Sequence, residues 1–203
     1  MIGNDVVDLS LASTESNWRR PGFLKKVFTL REQSCILNSD NPDLTVWLLW
    51  SMKESAYKTH VQRHREFFFA PLRFECRLVN GWHNNYEGDV CFNNSRYKTT
   101  SEYFNRSIFT LAFAEDYSPE NNVIYTKLAY SNTCYNAQHK EIYLSVLRKI
   151  SGLKGKPLEL FSIKKDSCGV PEIFSDGQRL NMSLSLSHHG RYGAHVLVEH
   201  SCT

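Results

Sequence analysis

Glu54 and Lys58 stand four residues apart in Trp50-Ser51-Met52-Lys53-Glu54-Ser55-Ala56-Tyr57-Lys58, so on a helix they share a face. Trp50 lies one turn earlier on that side, and Lys53 adjoins Glu54. Alone, such a pair is a surface ion pair that contributes about 0.2–0.5 kcal/mol. A second carboxylate changes the chemistry. Asp5 falls early in the apolar segment Gly3-Asn4-Asp5-Val6-Val7-Asp8, where burying a charge is costly unless it is paired or metal-bound. Two carboxylates brought together repel, and a divalent cation turns that repulsion into attraction. Magnesium binds through one or two carboxylates plus substrate phosphates and keeps several waters. Asp5 and Glu54 suit that pattern as metal ligands, with Lys58 placed to neutralise a phosphate oxygen. Gly3 is expected to let backbone approach the substrate closely.

Asp8, three residues beyond Asp5, points to the opposite face of a regular strand. It is either an outer group of the site or the cap of the following turn. Near the other end of the chain, Ser187-His188-His189-Gly190-Arg191 brings together a hydroxyl, imidazoles, a glycine amide and a guanidinium. Such a tip is either an anion cradle or a polar turn.

These residues need elements to hold them. Ile2 to Leu9 reads as a short strand, and Trp18 to Asn38 as helical in two pieces. Thr29 and Glu32 form a capping box that opens the second piece. Asp43 or Thr45 is expected to cap a helix running through Trp47, Trp50, Glu54, Lys58 and Val61. Beyond Pro71 the period becomes two, with Leu72, Phe74, Cys76 and Leu78 on one face and a turn at Asn80-Gly81. Asp89 to Phe92 and Ser107 to Ala114 are further strands. Tyr117 to Asn122 reads as a connection, followed by a strand from Val123. Ile142, Val146, Leu147, Ile150 and Leu153 recur at helical spacing, with Gly155 just past the helix. Leu158 to Ile163 is strand-like, and Met182 to Ser187 with Tyr192 to Val198 predicts a hairpin around His188-His189-Gly190-Arg191.

The chain has 203 residues, 41% hydrophobic and 13% aromatic, enough for a real core. A net charge of +3 suits an anionic small molecule or acidic partner and lacks a nucleic-acid signature. No apolar run reaches membrane-span length, and the N-terminus lacks signal-peptide character. The six cysteines, Cys35, Cys76, Cys91, Cys134, Cys168 and Cys202, show no Cys-x-x-Cys pair and read as reduced thiols of a cytoplasmic protein.

Taken together these blocks resemble the 4′-phosphopantetheinyl transferase superfamily. Gly3-Asn4-Asp5 is similar to its Gly-x-Asp block, and Phe28-Thr29-Leu30-Arg31-Glu32 to its Phe-[Ser/Thr]-x-x-Glu block. Trp50 to Lys58 is similar to its Trp-x-x-Lys-Glu-[Ser/Ala]-x-x-Lys block, the most specific of the set. Ser187-His188 resembles its Ser-His block, and Gly169-Val170-Pro171 its Gly-Lys-Pro. The order is permuted: in the two-repeat members the Ser-His block comes first, whereas here Gly-x-Asp opens the chain. A permuted two-half monomer, or a short single-repeat enzyme with a large insertion, accounts for that order. A faint echo between Pro71-Leu72 and Pro157-Leu158 favours the monomer.

The resemblance implies an α+β fold of two similar halves, residues 1–117 and 118–203, forming a pseudo-dimer with the active site in the cleft between them. It implies a magnesium-dependent enzyme that moves 4′-phosphopantetheine from coenzyme A to a serine of an acyl or peptidyl carrier protein. Magnesium would lie on Asp5 and Glu54. Glu54 would remove the serine proton, directly or through a bound water, and Lys58 would stabilise the transferred phosphoryl group. Glu32 is a further catalytic candidate, although the capping box also explains it. Ser187, His188, Arg191, Lys53 and Gly169 would contact coenzyme A. Val7 replaces a second acidic residue of the two-repeat members, and Val170 removes a phosphate contact for which Lys164 and Lys165 are candidates. Trp18, Arg19, Arg20, Lys25 and Lys26 offer a basic, aromatic patch for an acidic carrier. A magnesium-dependent phosphodiesterase or nuclease, or a carrier-binding protein without catalysis, are the competing readings of the same residues.

Overall fold

The computed structural model describes residues 1–68, 70–117, 123–131 and 134–200. It is an α+β protein with several antiparallel sheets. The chain opens with β1 (Ile2–Asp8) and three short helices, α1 (Leu9–Glu15), α2 (Phe23–Val27) and α3 (Leu30–Leu37). The long helix α4 (Pro42–His64) follows. Next come β2 (Glu75–Trp82), β3 (Asn85–Phe92), β4 (Ser95–Phe104) and β5 (Ser107–Ala114). With β1 they form one sheet in the order β1-β5-β4-β3-β2. The remaining elements are β6 (Val123–Ala129), α5 (Tyr135–Lys154), β7 (Phe161–Lys165), β8 (Pro171–Ser175), β9 (Gln178–Arg179), β10 (Met182–His189) and β11 (Tyr192–Glu199). They build two further sheets, β10-β11-β6 and β7-β8-β9. The expected connection from Tyr117 to Asn122 lies, beyond Tyr117, outside the described residues, as does Cys202.

Helix α4 begins where Asn41 accepts from the Leu44 amide at 3.1 Å and Pro42 fills the first turn. The cap is therefore Asn41 rather than Asp43 or Thr45. Val46, Leu48, Leu49, Met52 and Ala56 of α4 pack with Phe74, Val90, Tyr97 and Ile108. A second core gathers Val146 and Ile150 of α5 with Phe161, Ile173, Leu184 and Leu197. Between them Ile2, Phe109 and Phe113 meet Ala194, Val196 and Val198, so the two sheets share an apolar contact.

Strand β1 is the hinge of the architecture. One edge pairs with β5, placing Asp5 opposite Thr110. Along its other edge side chains cap the amides. Ile2 N donates to Gln62 Oε1 at 3.4 Å, Asn4 N to Ser185 Oγ at 2.9 Å and Asp8 N to His189 Nδ1 at 2.9 Å. Helix α4 crosses β1 at Gly3. A Cβ there would fall against Ser55 O and lie 2.7 Å from Thr59 Oγ1 and 2.8 Å from Thr59 N. Gly3 serves helix packing, not the substrate approach expected from sequence.

Other local readings differ too: Leu72, read as strand, lies in the 3₁₀ turn Pro71–Arg73 before β2, and β4 carried no expectation. Asn80-Gly81 lies within β2, beside a register shift after Leu78. The turn falls at His83-Asn84, whose φ angles of 45° and 66° suit a two-residue hairpin. Asn84 tolerates that conformation. Leu158–Leu160 is a 3₁₀ turn before β7, not strand.

Candidate active site

Packing α4 on β1 brings Asp5, Glu54 and Lys58 together. The Lys58 Nζ lies 3.1 Å from Asp5 Oδ1 and donates to Asn4 O at 2.9 Å, so the helix lysine is locked onto the strand. Glu54, one turn back, is half-buried. Burial, and then the charge of Asp5, push its carboxyl up to about 7, while Lys58 pulls it partly back. Among the described residues no protein group donates a hydrogen bond to it. The result is a pair of facing carboxylates with one adjacent cation, a local excess of negative charge.

Two cavities border this group. One, of about 340 Å³, is lined by Asp5, Glu54, Val7, Phe23, Val27, Trp47 and Trp50. The other, of about 370 Å³, is lined by Lys58, Tyr57, Tyr135, His139, Lys165 and Gly169. His188 lines both. Burial lowers the His188 pKa, as do the neighbouring His139, Lys58, His189 and Lys165. Three rings on α5 stack along it at helical spacing. Tyr135 and His139 are 6.0 Å apart, His139 and Tyr143 4.3 Å, and Tyr135 also meets His188 edge-on at 4.9 Å.

A family model described as the 4′-phosphopantetheinyl transferase superfamily matches residues 1–117. The chain belongs to that superfamily. No curated protein matches it. Among solved structures it is similar to the holo-[acyl-carrier-protein] synthase of Thermotoga maritima at 14% identity, with a TM-score of 0.41 over 86% of this chain and 82% of that chain.

Several residues that the superfamily motifs single out lie elsewhere. Lys53 is fully buried: its Nζ lies 2.8 and 2.9 Å from the Glu32 carboxylate and donates to Pro71 O at 2.9 Å and to Phe74 O. Glu32 is equally enclosed, accepting from Thr29 N at 2.7 Å and Cys76 N at 2.6 Å. The pair ties α3 and α4 to the start of β2. Neither lines either of these two cavities, and both side chains are enclosed in the core. The capping box of Thr29 and Glu32 is present. Ser187 is turned toward β1, where its Oγ accepts from Asn4 Nδ2 at 2.7 Å. Arg191 is exposed, and its amide donates to Asp8 Oδ2 at 3.1 Å. Asp8 itself caps α1, accepting from Ser10 N and Leu11 N. Of the five expected coenzyme A contacts, Gly169 and His188 line a cavity.

Sequence reading missed Tyr57, Tyr135 and His139. The spacing of Tyr135, His139 and Tyr143 is visible in the chain, but its apolar neighbours dominated the helical pattern. Lys165 stands opposite Pro171 across the β7–β8 pair and faces the cavity. Lys164 instead lies over the Phe174 ring at 5.2 Å.

The donor set fits magnesium in one specific sense. Among the described residues no group of three or more His, Cys, Asp or Glu side chains converges to hold a metal. What converges is Asp5 and Glu54, two oxygen donors whose mutual repulsion already raises the Glu54 pKa. That suits a hard cation completed by water and substrate phosphate, not a closed protein cage.

Proposed function

We propose that this protein transfers 4′-phosphopantetheine from coenzyme A to a serine of an acyl or peptidyl carrier protein, with the two structural units around α4 and α5 acting as the halves of one active site. The observation that carries this reading is that Asp5 and Glu54 line one cavity and Lys58, bonded to Asp5, lines a second, with His188 shared by both. A donor lying in the cavity of α5 brings its diphosphate to Lys58. Tyr135 and His139 offer flat faces to its base, and Lys165 and His188 offer cationic and hydrogen-bonding groups to its phosphates.

Asp5 and Glu54 would hold a magnesium ion, which when bound would neutralise charge on the diphosphate. The carrier serine enters from the cavity beside Trp50 and Phe23. Its oxygen attacks the β-phosphorus in line. The new Ser O–P bond forms as the bond from the β-phosphorus to the bridging oxygen breaks, and 3′,5′-adenosine diphosphate leaves with that electron pair. Glu54 takes up the serine proton. Lys58, fixed by Asn4 O and Asp5, stabilises the phosphoryl oxygens without having to reorganise.

Within the basic patch expected to meet the carrier, the residues are differently engaged. Trp18 is buried and donates to Asp43 at 2.7 Å. Arg19 is held by the same carboxylate at 2.6 and 3.0 Å. Lys25 and Lys26 of α2 are exposed, and Phe23 and Val27 of that helix line the Glu54 cavity. Arg20, Lys25 and Lys26 therefore frame the entrance for an acidic carrier. The deciding experiment incubates the protein with coenzyme A, magnesium and a panel of apo-carrier proteins and records intact carrier masses. Gain of one phosphopantetheine group on a serine is expected. No gain on any carrier rejects the reading, and carrier-free diester cleavage would support hydrolysis instead.

A further inference from the structure

The tip of the β10–β11 hairpin is clasped to the end of β1 more closely than a turn requires. Asp8 N donates to His189 Nδ1 at 2.9 Å. Because a backbone amide only donates, this ring nitrogen must be unprotonated and accept. In return the Asp8 carboxylate reaches across the seam. Its Oδ1 takes the α1 amides of Ser10 and Leu11, and its Oδ2 takes the Arg191 amide at 3.1 Å. The carboxylate is 2% exposed and both oxygens are used. Gly190 sits between the two, with a φ of 60°. A Cβ there would run into the Asp8 side chain, 2.7 Å from its Cβ and 2.8 Å from its Cγ. The hairpin is also fastened from behind, where Gln138 Nε2 donates to Gly190 O at 2.7 Å and Tyr130 N to Arg191 O at 2.8 Å.

This clasp joins residues next to the groups that face the cavities, and His189 itself borders the Glu54 cavity. Asp8 is three residues from Asp5 on β1, and His189 follows His188 on β10. No strand pairing spans the seam among the described residues, so side-chain hydrogen bonds, together with the apolar contact of Ile2 with Ala194, Val196 and Val198, set how far Asp5 stands from His188. We infer that His189 is a positioning residue. Its imidazole fixes the β10–β11 hairpin against β1, so that His188 and the Asp5, Glu54 and Lys58 group grip one donor molecule at a set spacing. The inference rests on the coenzyme A reading above. A donor that bridges both groups loses binding energy when the spacing loosens, and loses it equally in ground and transition states. That shows as KM, not kcat.

The test compares His189→Leu, which removes the acceptor, with His189→Asn, whose Oδ1 stands in for Nδ1. His189→Leu is expected to raise the coenzyme A KM by about tenfold, the scale of one net hydrogen bond to a buried amide, with kcat nearly unchanged. His189→Asn should restore most of the loss. Asp8→Asn keeps the α1 cap but sets an amide NH₂ against the Arg191 N–H, and should raise KM in the same way if His189→Leu does not fold. Exchange of the Asp8 amide hydrogen should quicken in His189→Leu and not in His189→Asn, whatever the donor. A lower Tm with KM unchanged, or an Asn variant as impaired as Leu, overturns the inference. Unchanged amide exchange removes the clasp itself. Wild-type protein without coenzyme A affinity but with the expected exchange pattern sinks the transferase reading and the donor spacing, while leaving the clasp as a structural contact.

Discussion

At the scale of single residues, the proposed chemistry rests most heavily on Glu54. Replacing it by Gln keeps its shape but removes both a metal ligand and a base, and should lower transfer by about 10²–10⁴-fold, measured as carrier modification per minute. Because burial and Asp5 raise its carboxyl to about 7, log kcat/KM at low magnesium should climb as pH rises toward 7 and then level. A flat profile between pH 5 and 8 would count against Glu54 as the base. The same shift has a stability consequence. The folded protein holds the Glu54 proton more tightly than the ordinary carboxyl, at 4.5, does. The contribution is full below 4.5 and is lost as pH climbs to about 7. Metal-free protein should therefore lose Tm across that window, and Glu54→Gln should lose less.

At the scale of elements, two packing contacts set the site from beneath. Gly3 lets α4 lie on β1, since any side chain there meets the backbone of Thr59 and Ser55. Gly3→Ala should destabilise by about 1–3 kcal/mol in urea unfolding. It should also reduce transfer in the folded fraction, because it moves Glu54 and Lys58 away from Asp5. The Lys53–Glu32 pair makes the opposite prediction. Lys53→Met leaves a buried carboxylate without its cation and should cost about 3–5 kcal/mol, with the coenzyme A KM unchanged. A catalytic or donor-binding Lys53 would reverse that pattern. The motif is thus divided by depth: Lys53 inward, Glu54 and Lys58 outward, on one helix.

At the scale of the molecule, the basic rim of α2 meets solvent beside the Glu54 cavity. Steering of an acidic carrier should make kcat/KM fall with ionic strength. The double variant Lys25→Glu, Lys26→Glu should raise the carrier KM by about tenfold or more and flatten the salt dependence, leaving the coenzyme A KM as it was. Equal salt dependence in both proteins would place the carrier elsewhere. Among the described residues no helix is long and apolar enough to cross a membrane.

The sequence by itself determined the superfamily, the helix from Trp47 to Val61, the capping box at Thr29, the strands flanking His188, and the pairing of Asp5 with Glu54 and Lys58 as one chemical group. These are legible because each depends on local spacing or on residue types that are costly to bury apart. Tertiary structure decided which of the motif residues face a cavity. Lys53 and Glu54 are adjacent in the chain, and a rotation of about 100° on the helix sends one into the core and the other to the site. Ser187 and His188 are divided in the same way by strand alternation, one to the seam and one to both cavities. Arg19 was exposed as expected, but its carboxylate partner, Asp43, is supplied from 24 residues away. The clasp of Asp8 and His189 spans 181 residues. No local pattern marks it, because it exists only where two strand edges meet without pairing.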